Sequence, residues 1–255
     1  MTKPTNTTLC MVCGGRGGVG KTTSLMLIAD YLSAKGQKFA LIDCDTESAG
    51  TPASFSHWFG GKTNMLDLRD VADLDTLLRQ SANSGVGYVL ADLPANSGGD
   101  ITDWLHTVAT PKTIQSLGLR IIAVGAVNPS AGSGESVAQW MDTLGTRATY
   151  LVTLNRTQFE RKPKPVEKTF AAWFNWIESQ VKKPAFQTVE IPHLHEHTML
   201  ALTALAKLPC KAIKDPALDV ILRFRLETWT ERVHSQLDAT GLFIAQTAES
   251  LVAAK

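Results

Sequence analysis

The sequence contains no long hydrophobic run, because polar residues break its apolar stretches into short pieces. None of them reaches the roughly 20 consecutive apolar residues that a helix needs to cross a bilayer. The first residues, MTKPTNTTL, lack an apolar segment of signal-peptide length. The last residues, FIAQTAESLVAAK, carry too little positive charge for a helix that binds a membrane surface. We therefore expect a cytoplasmic protein that does not associate with membranes.

Cysteine is also scarce, since the chain has only Cys10, Cys13, Cys44 and Cys210 among 255 residues. Four cysteines in a chain of this size do not make a disulfide framework. The C-x-x-C spacing of Cys10 and Cys13 also occurs in redox and zinc sites, but here it falls in the apolar run TLCMVCGG. That run predicts a buried strand, in which residues three apart point to opposite faces. We interpret both cysteines as small core residues.

What the sequence does contain is an alternation of short β-type runs with helical segments. Runs such as YVLAD and RIIAVGAV are continuously apolar, as in strands buried on both faces of a parallel sheet. The pattern predicts a doubly wound α/β fold, mainly parallel with helices on both faces, as a single domain over residues 1–255. The predicted strands span 9–13, 39–43, 88–92, 121–127, 150–155 and 188–191. The predicted helices span 21–35, 64–82, 100–117, 133–145, 166–181, 195–207 and, as a long C-terminal helix, 215–240.

The strongest motif is GRGGVGKTT at residues 15–23, which fits the phosphate-binding pattern G-x-x-x-x-G-K-[ST]. A predicted strand precedes it and an amphipathic helical run follows it, as the motif requires. Triphosphate oxygens need several converging backbone N–H groups, which glycines allow the chain to provide, and the helix N-terminus adds its dipole. Lys21 is expected to reach the β- and γ-phosphates and the Thr22 hydroxyl to ligate Mg²⁺. The predicted nucleotide-binding residues here are Gly15, Gly17, Gly18, Val19, Gly20, Lys21, Thr22 and Thr23.

Carboxylates that complete such a site follow two of the predicted strands. ALIDCD ends at Asp43 and Asp45, and YVLAD ends at Asp92. Ligands of open α/β sheets bind at the carboxyl ends of the strands, so these acids lie where a magnesium nucleotide would bind. A single strand that ends in Asp is weak evidence, because Asp also favours turns. The combination with the glycine-rich loop indicates a metal-dependent nucleotide site.

Together, GRGGVGKTT, LIDCD and VLADLPA resemble the deviant Walker-A ATPases of the ParA/MinD type. The resemblance is close over the first 100 residues and looser beyond them. It implies that Asp45 orients the attacking water, that Asp92 holds Mg²⁺ through water, and that Asp43 supports the metal shell. It also implies that residues 94–99 form a switch that senses the γ-phosphate.

The chain departs from this family at one position of the loop. The family sequence is K-G-G-x-G-K-[ST], and its first lysine reaches across a nucleotide-sandwich dimer to the partner's phosphates. Arg16 occupies that position here. Arginine is always charged and can contact phosphate with two N–H groups, but it is not isosteric with lysine. The resemblance thus implies an ATP-bound homodimer in which Arg16 joins Lys21 and Asp45 as a catalytic residue, or one in which hydrolysis is slow.

The identity of the base follows from the run YLVTLNRTQ, a predicted strand that ends at Asn155. In the broader superclass, an asparagine at this place hydrogen-bonds the base, and guanine-specific relatives carry N-K-x-D. Gln158 stands at the position of that aspartate, and an amide is a poor replacement for a carboxylate that accepts two bonds. We therefore expect ATP as the nucleotide. Asn155 as an ordinary strand-end residue remains the alternative.

The segment VEIPHLHEH at 189–197 resembles the family's late strand and the proline that follows it near the adenine. Pro192 is accordingly a predicted nucleotide contact. His193, His195 and His197 alternate and raise the alternative of a metal site, but no carboxylate or cysteine partner is evident. We interpret them as polar residues of a loop and of a helix entry.

The C-terminal run LDVILRFRLETWTERVHSQLD has apolar residues at steps of three or four, which predicts a helix that packs on the body of the domain. The alternative is that this stripe of apolar residues forms a dimer contact. With the late I-P motif, the layout is similar to the TraL/MobD-type ATPases of plasmid mobilisation and conjugation regions. The resemblance implies a nucleotide-switched dimer that moves or positions a macromolecular cargo. The alternatives are a small-molecule synthetase or kinase on the same scaffold, and a nucleotide-dependent scaffold with little hydrolysis.

Basic residues are concentrated in the second part of the chain. Residues 151–255 hold 14 Lys and Arg against 11 Asp and Glu, whereas residues 1–150 hold 11 against 13. We predict that 156–170 forms an exposed basic insertion and that the dimer binds DNA weakly and without sequence preference, by phosphate neutralisation. A plasmid-encoded protein cargo is the alternative partner. The basic residues of the insertion are Arg156, Arg161, Lys162, Lys164 and Lys168.

Overall fold

A computed structural model describes residues 7–14, 16–52, 54–61, 63–68, 70–94, 98–130, 132–156, 168, 170–179 and 186–243. Within these residues, a seven-stranded sheet with the order β3-β2-β4-β1-β5-β6-β7 forms the centre of the molecule, and all its strand pairs are parallel. The strands are β1 (Thr7–Cys13), β2 (Phe39–Asp43), β3 (Asn64–Met65), β4 (Tyr88–Asp92), β5 (Leu119–Val127), β6 (Thr149–Asn155) and β7 (Phe186–Ile191).

Helices cover both faces of this sheet, which confirms the predicted doubly wound α/β fold. One apolar cluster joins the sheet to α2, α3, α5 and α6, and the other joins it to α1, α7, α8 and α9. The helices are α1 (Lys21–Ala34), α2 (Val71–Ala82), α3 (Gly98–Thr107), α4 (Pro111–Ser116), α5 (Ser133–Leu144), α6 (Ala171–Ser179), α7 (Glu196–Leu205), α8 (Pro209–Ala212) and α9 (Val220–Thr240). None of the described helices is both long and apolar enough to span a bilayer.

Strand β1 shows why the central runs are apolar on both sides. All seven of its residues are buried, and from Leu9 to Cys13 successive side chains enter opposite apolar clusters. Cys10 and Cys13 accordingly lie on opposite faces of the sheet and form no disulfide. Burial raises the pKa of the Cys10 thiol to about 12. The interpretation of both cysteines as core residues is confirmed.

Several helix boundaries differ from the predicted ones because capping residues set them. The helix expected over 64–82 begins at Val71, where the Asp70 side chain accepts a hydrogen bond from the Ala72 N–H. The helix expected over 100–117 divides into α3 and α4, since Thr110 caps a new helix that starts with Pro111. Residues 64–65 instead form the short edge strand β3.

The long C-terminal helix α9 begins at Val220, later than the predicted residue 215, because the Asp219 carboxylate caps it. Its apolar stripe packs on the body of the domain, and this confirms the intramolecular interpretation over a dimer contact. The stripe residues that are fully buried are Leu226, Trp229, Val233 and Leu237.

Arg156 and Phe170, the two end residues of the exposed basic segment predicted over 156–170, are buried. Arg156 is only 4% exposed, because its backbone N–H continues the sheet ladder to the Ile191 carbonyl at 2.9 Å. Its Nε lies 2.8 Å from a carboxylate oxygen of Glu190, and its guanidinium carbon lies 5.8 Å from the centre of the buried Phe170 ring. Lys168 is exposed, as predicted, while residues 157–167 lie outside the described part of the chain.

Candidate functional site

The phosphate loop connects β1 to α1 and needs glycine at three of its described positions. Gly14, Gly18 and Gly20 have φ angles of 132°, 71° and 101°, a region that side chains with a Cβ rarely adopt. At Gly20 a Cβ would also lie 2.0 Å from the Nδ2 atom of Asn155. At Gly17 and Gly18, in contrast, a Cβ would meet nothing within 4 Å, so the outer side of the loop is open. The predicted first glycine, Gly15, lies outside the described residues.

Lys21 starts α1 and folds back over the loop, where its Nζ donates to the Arg16 carbonyl at 3.0 Å. Burial lowers the pKa of Lys21, and the carboxylates of Asp92 and Asp45 act against that shift. The ammonium group is thus close to both acids that the sequence placed at the ends of neighbouring strands. This arrangement puts one cation and two carboxylates at the mouth of the loop.

The central contact of the site joins the first turn of α1 to the end of β4. The Thr22 hydroxyl donates to Asp92 Oδ2 at 2.7 Å. Burial raises the pKa of Asp92 to about 7, the Thr22 hydrogen bond acts to lower it, and the neighbouring Asp43 raises it. A carboxyl group that titrates near neutral pH gains its charge readily when a cation binds beside it, and hydroxyl and carboxylate oxygens are ligands that Mg²⁺ accepts.

Asp43 pairs with Asp92 in the register of β2 and β4 and is fully buried. One of its oxygens accepts from the Asp45 N–H at 3.2 Å, and the other accepts from the Ser54 hydroxyl and the Ser56 N–H at 3.0 and 3.1 Å. Asp43 therefore anchors the loop that follows β2 and fixes the backbone of Asp45. Sequence analysis did not foresee this anchoring function, because Ser54 is 11 residues away in a segment without a motif.

Asn155, the predicted base contact, supports the phosphate loop from below. It is 4% exposed, and its Nδ2 donates to the Val19 carbonyl at 3.0 Å. Two residues earlier on β6, the Thr153 hydroxyl lies 2.7 Å from the hydroxyl of Ser24 in α1. Sequence analysis missed this second contact, although polar residues in otherwise apolar segments were its signal. Gln158, which carried the argument for ATP, lies outside the described residues.

Pro192 follows β7 and lines a groove of about 410 Å³ between residues 192–195 and α9. Its carbonyl accepts a hydrogen bond from Trp229 Nε1 at 2.8 Å. His195 caps α7, where its ring accepts from the His197 N–H at 3.4 Å, so the helix-entry interpretation of this residue is confirmed. No cluster of three potential metal-binding His, Cys, Asp or Glu side chains forms within the described residues.

Arg16 is exposed and extends across the loop toward the N-terminus of α5. A Cβ at Gly132, the residue that caps α5, would lie 2.5 Å from one terminal nitrogen of the guanidinium. Glycine at position 132 thus makes room for Arg16. Of the predicted switch over 94–99, Pro94 is half-buried beside the site, and residues 95–97 lie outside the described residues.

This loop, with acids at the ends of two adjacent strands, agrees with the comparison to known families. Residues 10–158 match the CobQ/CobB/MinD/ParA nucleotide-binding domain. The chain belongs to this family. That membership confirms the resemblance drawn from the loop and the two acidic strand ends.

Individual relatives agree with this assignment. The chain is 26% identical to protein TraL of Escherichia coli over 241 residues, which cover 89% of this chain and 96% of TraL. It is 20% identical to protein MobD of Acidithiobacillus ferrooxidans over 152 residues, which cover 60% of this chain and 65% of MobD. The similarity to the TraL/MobD proteins is therefore confirmed as well.

Solved structures show the same fold. MinD of Pyrococcus horikoshii, complexed with Mg-ADP, superposes with a TM-score of 0.56 at 16% identity, covering 94% of this chain and all of that chain. A plasmid partition protein of Borrelia burgdorferi, bound to AMPPNP, gives a TM-score of 0.51 at 14% identity and covers 92% and 99% of the two chains. At this level of identity the likeness concerns the fold alone.

Proposed function

We propose that this nucleotide-binding protein is a Mg²⁺-dependent ATPase that acts as a nucleotide-switched homodimer in plasmid partition or conjugative transfer. The observation that carries the proposal is the 2.7 Å hydrogen bond from Thr22 to Asp92 at the mouth of the glycine loop, with Lys21 beside it. The relatives named TraL and MobD support the plasmid context.

The residues present fit a magnesium nucleotide. The open outer side of Gly17 and Gly18 leaves the backbone accessible to phosphate oxygens, and the N-terminus of α1 favours negative charge there. Thr22 and Asp92 would hold the metal, and Mg²⁺ when bound would neutralise charge on the phosphates. Asp92 has the raised pKa expected of a buried carboxyl that gains its charge on binding a cation.

The remaining side chains have separate functions in nucleotide binding and hydrolysis. Lys21 exchanges the Arg16 carbonyl for phosphate oxygens, since both are acceptors within its reach. Asp45 orients the attacking water, and Asp43 keeps Asp45 in place through its backbone N–H. Asn155 and Pro192 contact the adenine from the ends of β6 and β7, which are neighbouring strands.

The proposed dimer mechanism depends on Arg16, because this residue is exposed at the loop and occupies the position of the family's signature lysine. In the ATP-bound dimer it contacts the partner's phosphates. Non-specific DNA binding now depends on cations other than Arg156, which is buried. Lys168, Lys211 and Lys214 are exposed in the described part of the chain. A plasmid-encoded protein cargo is the second kind of partner.

A combined binding, turnover and sedimentation experiment tests this proposal. Wild-type protein should bind Mg-ATP, hydrolyse it slowly and sediment as a dimer with a slowly hydrolysed analogue but as a monomer with ADP. Lys21→Ala should lose nucleotide binding, whereas Asp45→Ala should keep binding, lose turnover and remain dimeric with ATP. Arg16→Ala should bind ATP as a monomer, and Arg16→Lys should restore the dimer.

Two results would contradict the proposal. ATP affinity that survives in Lys21→Ala would place the nucleotide elsewhere, and a monomer in every nucleotide state would remove the sandwich mechanism.

A further inference from the structure

Helix α9 has an exposed apolar ridge at its N-terminal end, on the side opposite its buried stripe. Val220, Ile221 and Phe224 are 53%, 57% and 62% exposed, and Leu200 of α7 is 60% exposed. Large apolar side chains that are exposed singly are ordinary, but three within two turns of one helix form a patch. The predicted functions of the nucleotide site do not use this ridge.

The groove beside Pro192 adjoins the ridge through Phe224. Its walls come from the segment after β7 and from one side of α9. The lining residues are Pro192, His193, Leu194, His195, Phe224, Arg225, Thr228, Trp229 and Arg232.

The charges of this groove have one sign. Arg225 and Arg232 both line it, and the lining includes no aspartate or glutamate. Both arginines are exposed, and neither forms an ion pair with another described residue. Guanidinium groups hold carboxylates through paired N–H bonds, so an occupant with acidic groups is favoured here.

Internal hydrogen bonds hold the walls of the groove in place. The Trp229 indole donates to the Pro192 carbonyl at 2.8 Å, which ties α9 to the segment after β7. Arg223 donates to the carbonyls of Asp215 and Leu218 at 3.1 and 3.2 Å, so the chain before α9 is fixed to the helix as well. A groove whose walls are already ordered costs little conformational entropy when a ligand binds.

We propose that this groove and ridge bind an acidic peptide segment of a partner protein, with an apolar side chain of that segment seated against Phe224. Acidic groups of the segment pair with Arg225 and Arg232, and its apolar residues cover Val220 and Ile221. A nucleic acid would leave the ridge exposed, since its outer surface is a row of phosphates, and the apolar contacts therefore favour a protein.

A selection from a phage-displayed library of random dodecapeptides tests the proposal on the full chain. The enriched peptides should combine aspartate or glutamate with aromatic or aliphatic residues. A fluorescein-labelled copy of an enriched peptide should bind at least about ten-fold more weakly to Phe224→Ala and to the double variant Arg225→Glu/Arg232→Glu. These residues are exposed, so the circular dichroism of the variants should match that of wild type.

Matched control substitutions on other surfaces distinguish binding to this groove from non-specific binding of the peptide. Met65→Ala removes an apolar side chain that is 42% exposed at the far edge of the sheet, and Lys214→Glu reverses an exposed charge outside the lining. Both controls should bind the peptide as wild type does. Pro192 lines the groove and is also a proposed adenine contact, so peptide binding is measured without nucleotide. Lys21 does not line the groove, and Lys21→Ala should therefore also bind the peptide unchanged, even if the proposed ATPase function fails.

Three results would overturn the proposal. The first is a selection that enriches no acidic and apolar sequence, and the second is peptides that bind the groove variants as tightly as wild type. The third is a random-sequence DNA duplex that binds wild type but not Arg225→Glu/Arg232→Glu, in the absence of any enriched peptide, which would assign the groove to nucleic acid.

Discussion

Helix α1 has a polar centre at each end of its length, and the two differ in how completely their groups are paired. At the N-terminal end, Thr22 contacts Asp92, whose pKa is raised by burial to about 7, and the loop above them is open. Near the C-terminal end, the fully buried Asp30 accepts from the Cys210 N–H at 2.7 Å and lies 2.9 Å from His234 Nε2.

The difference separates a binding function from a structural one. Asp30 has its hydrogen-bond partners within the chain, so its oxygens are satisfied without a ligand and it fastens α8 and α9 to α1. Asp92 has two carboxylates and one lysine as its charged neighbours, and burial disfavours its charged form. A bound cation would therefore stabilise the charged form of Asp92. We therefore expect changes at Asp30 to alter stability, and changes around Asp92 to alter ligand binding.

The largest effect on stability is expected for Asp30→Ala. This change leaves the Cys210 N–H and the mostly buried His234 without their acceptor, which should lower the free energy of unfolding by about 3 kcal/mol. Nucleotide affinity of the folded protein should stay at the wild-type level. Urea unfolding followed by circular dichroism measures the first quantity, and calorimetry below the transition measures the second.

Asp238→Ala is the matched control, because Asp238 also joins α9 to α1, through Tyr31 and Lys35, but at an exposed position. Asp238→Ala should lower the free energy of unfolding much less than Asp30→Ala does. Equal losses in the two variants would mean that burial of Asp30 does not distinguish the two contacts.

Asp92→Asn should act in the opposite direction and increase stability at high pH. The pKa of Asp92 is about 7 in the folded protein, above its ordinary value of 3.8, so the folded state holds a proton that the unfolded chain releases. Its stabilising contribution is complete below pH 4 and is lost as the pH rises through 7. At pH 8 the asparagine variant should be more stable than wild type by about 1 to 3 kcal/mol, and the gain should shrink toward pH 5.

Thermal unfolding at pH 5, 6, 7 and 8 measures this difference. Asp142→Asn, at an exposed position on α5, should show no gain that grows with pH. If Asp92→Asn were destabilising at pH 8, the carboxylate would be stabilised by its surroundings without a cation, and the contrast with Asp30 would disappear.

The parts of the molecule that sequence predicted well are those encoded locally. The glycine loop, the acids at the ends of β2 and β4 and the alternation of strands and helices each occupy a short segment, and each has a physical signal of its own. The division of the helix expected over 100–117 also had a local signal, Thr110 followed by Pro111. The edge strand β3 had none, because two exposed residues are too few to show a period.

Contacts between distant segments explain what sequence could not predict. Asp30 and His234 are 204 residues apart, and Asn155 contacts Val19 across 136 residues. The charge run that begins at Arg156 suggested an exposed surface, but the ladder between β6 and β7 continues through that residue and buries it. Net charge along a sequence does not reveal which strand face a residue occupies.

The smallest change in stability, and the most specific change in binding, is expected for Thr22→Val. Valine keeps the shape of threonine but removes the hydroxyl that donates to Asp92, at a cost of less than about 1 kcal/mol in unfolding free energy. The hydroxyl is also the proposed metal ligand, so Mg-ATP affinity should fall about 10- to 100-fold. Without Mg²⁺, in excess EDTA, wild type and variant should bind ATP equally, because the loop backbone is unchanged.

Because the Thr22 hydrogen bond lowers the pKa of Asp92, its removal should also raise that pKa, which a ¹³C-carboxyl NMR titration can follow. Thr143→Val is the control, since its hydroxyl donates only to a backbone carbonyl within α5, at an exposed position. An equal loss of ATP affinity with and without Mg²⁺ would mean that Thr22 acts by shaping the loop. A loss confined to Mg²⁺ would instead distinguish the ligand-binding end of α1 from the structural end that Asp30 holds together.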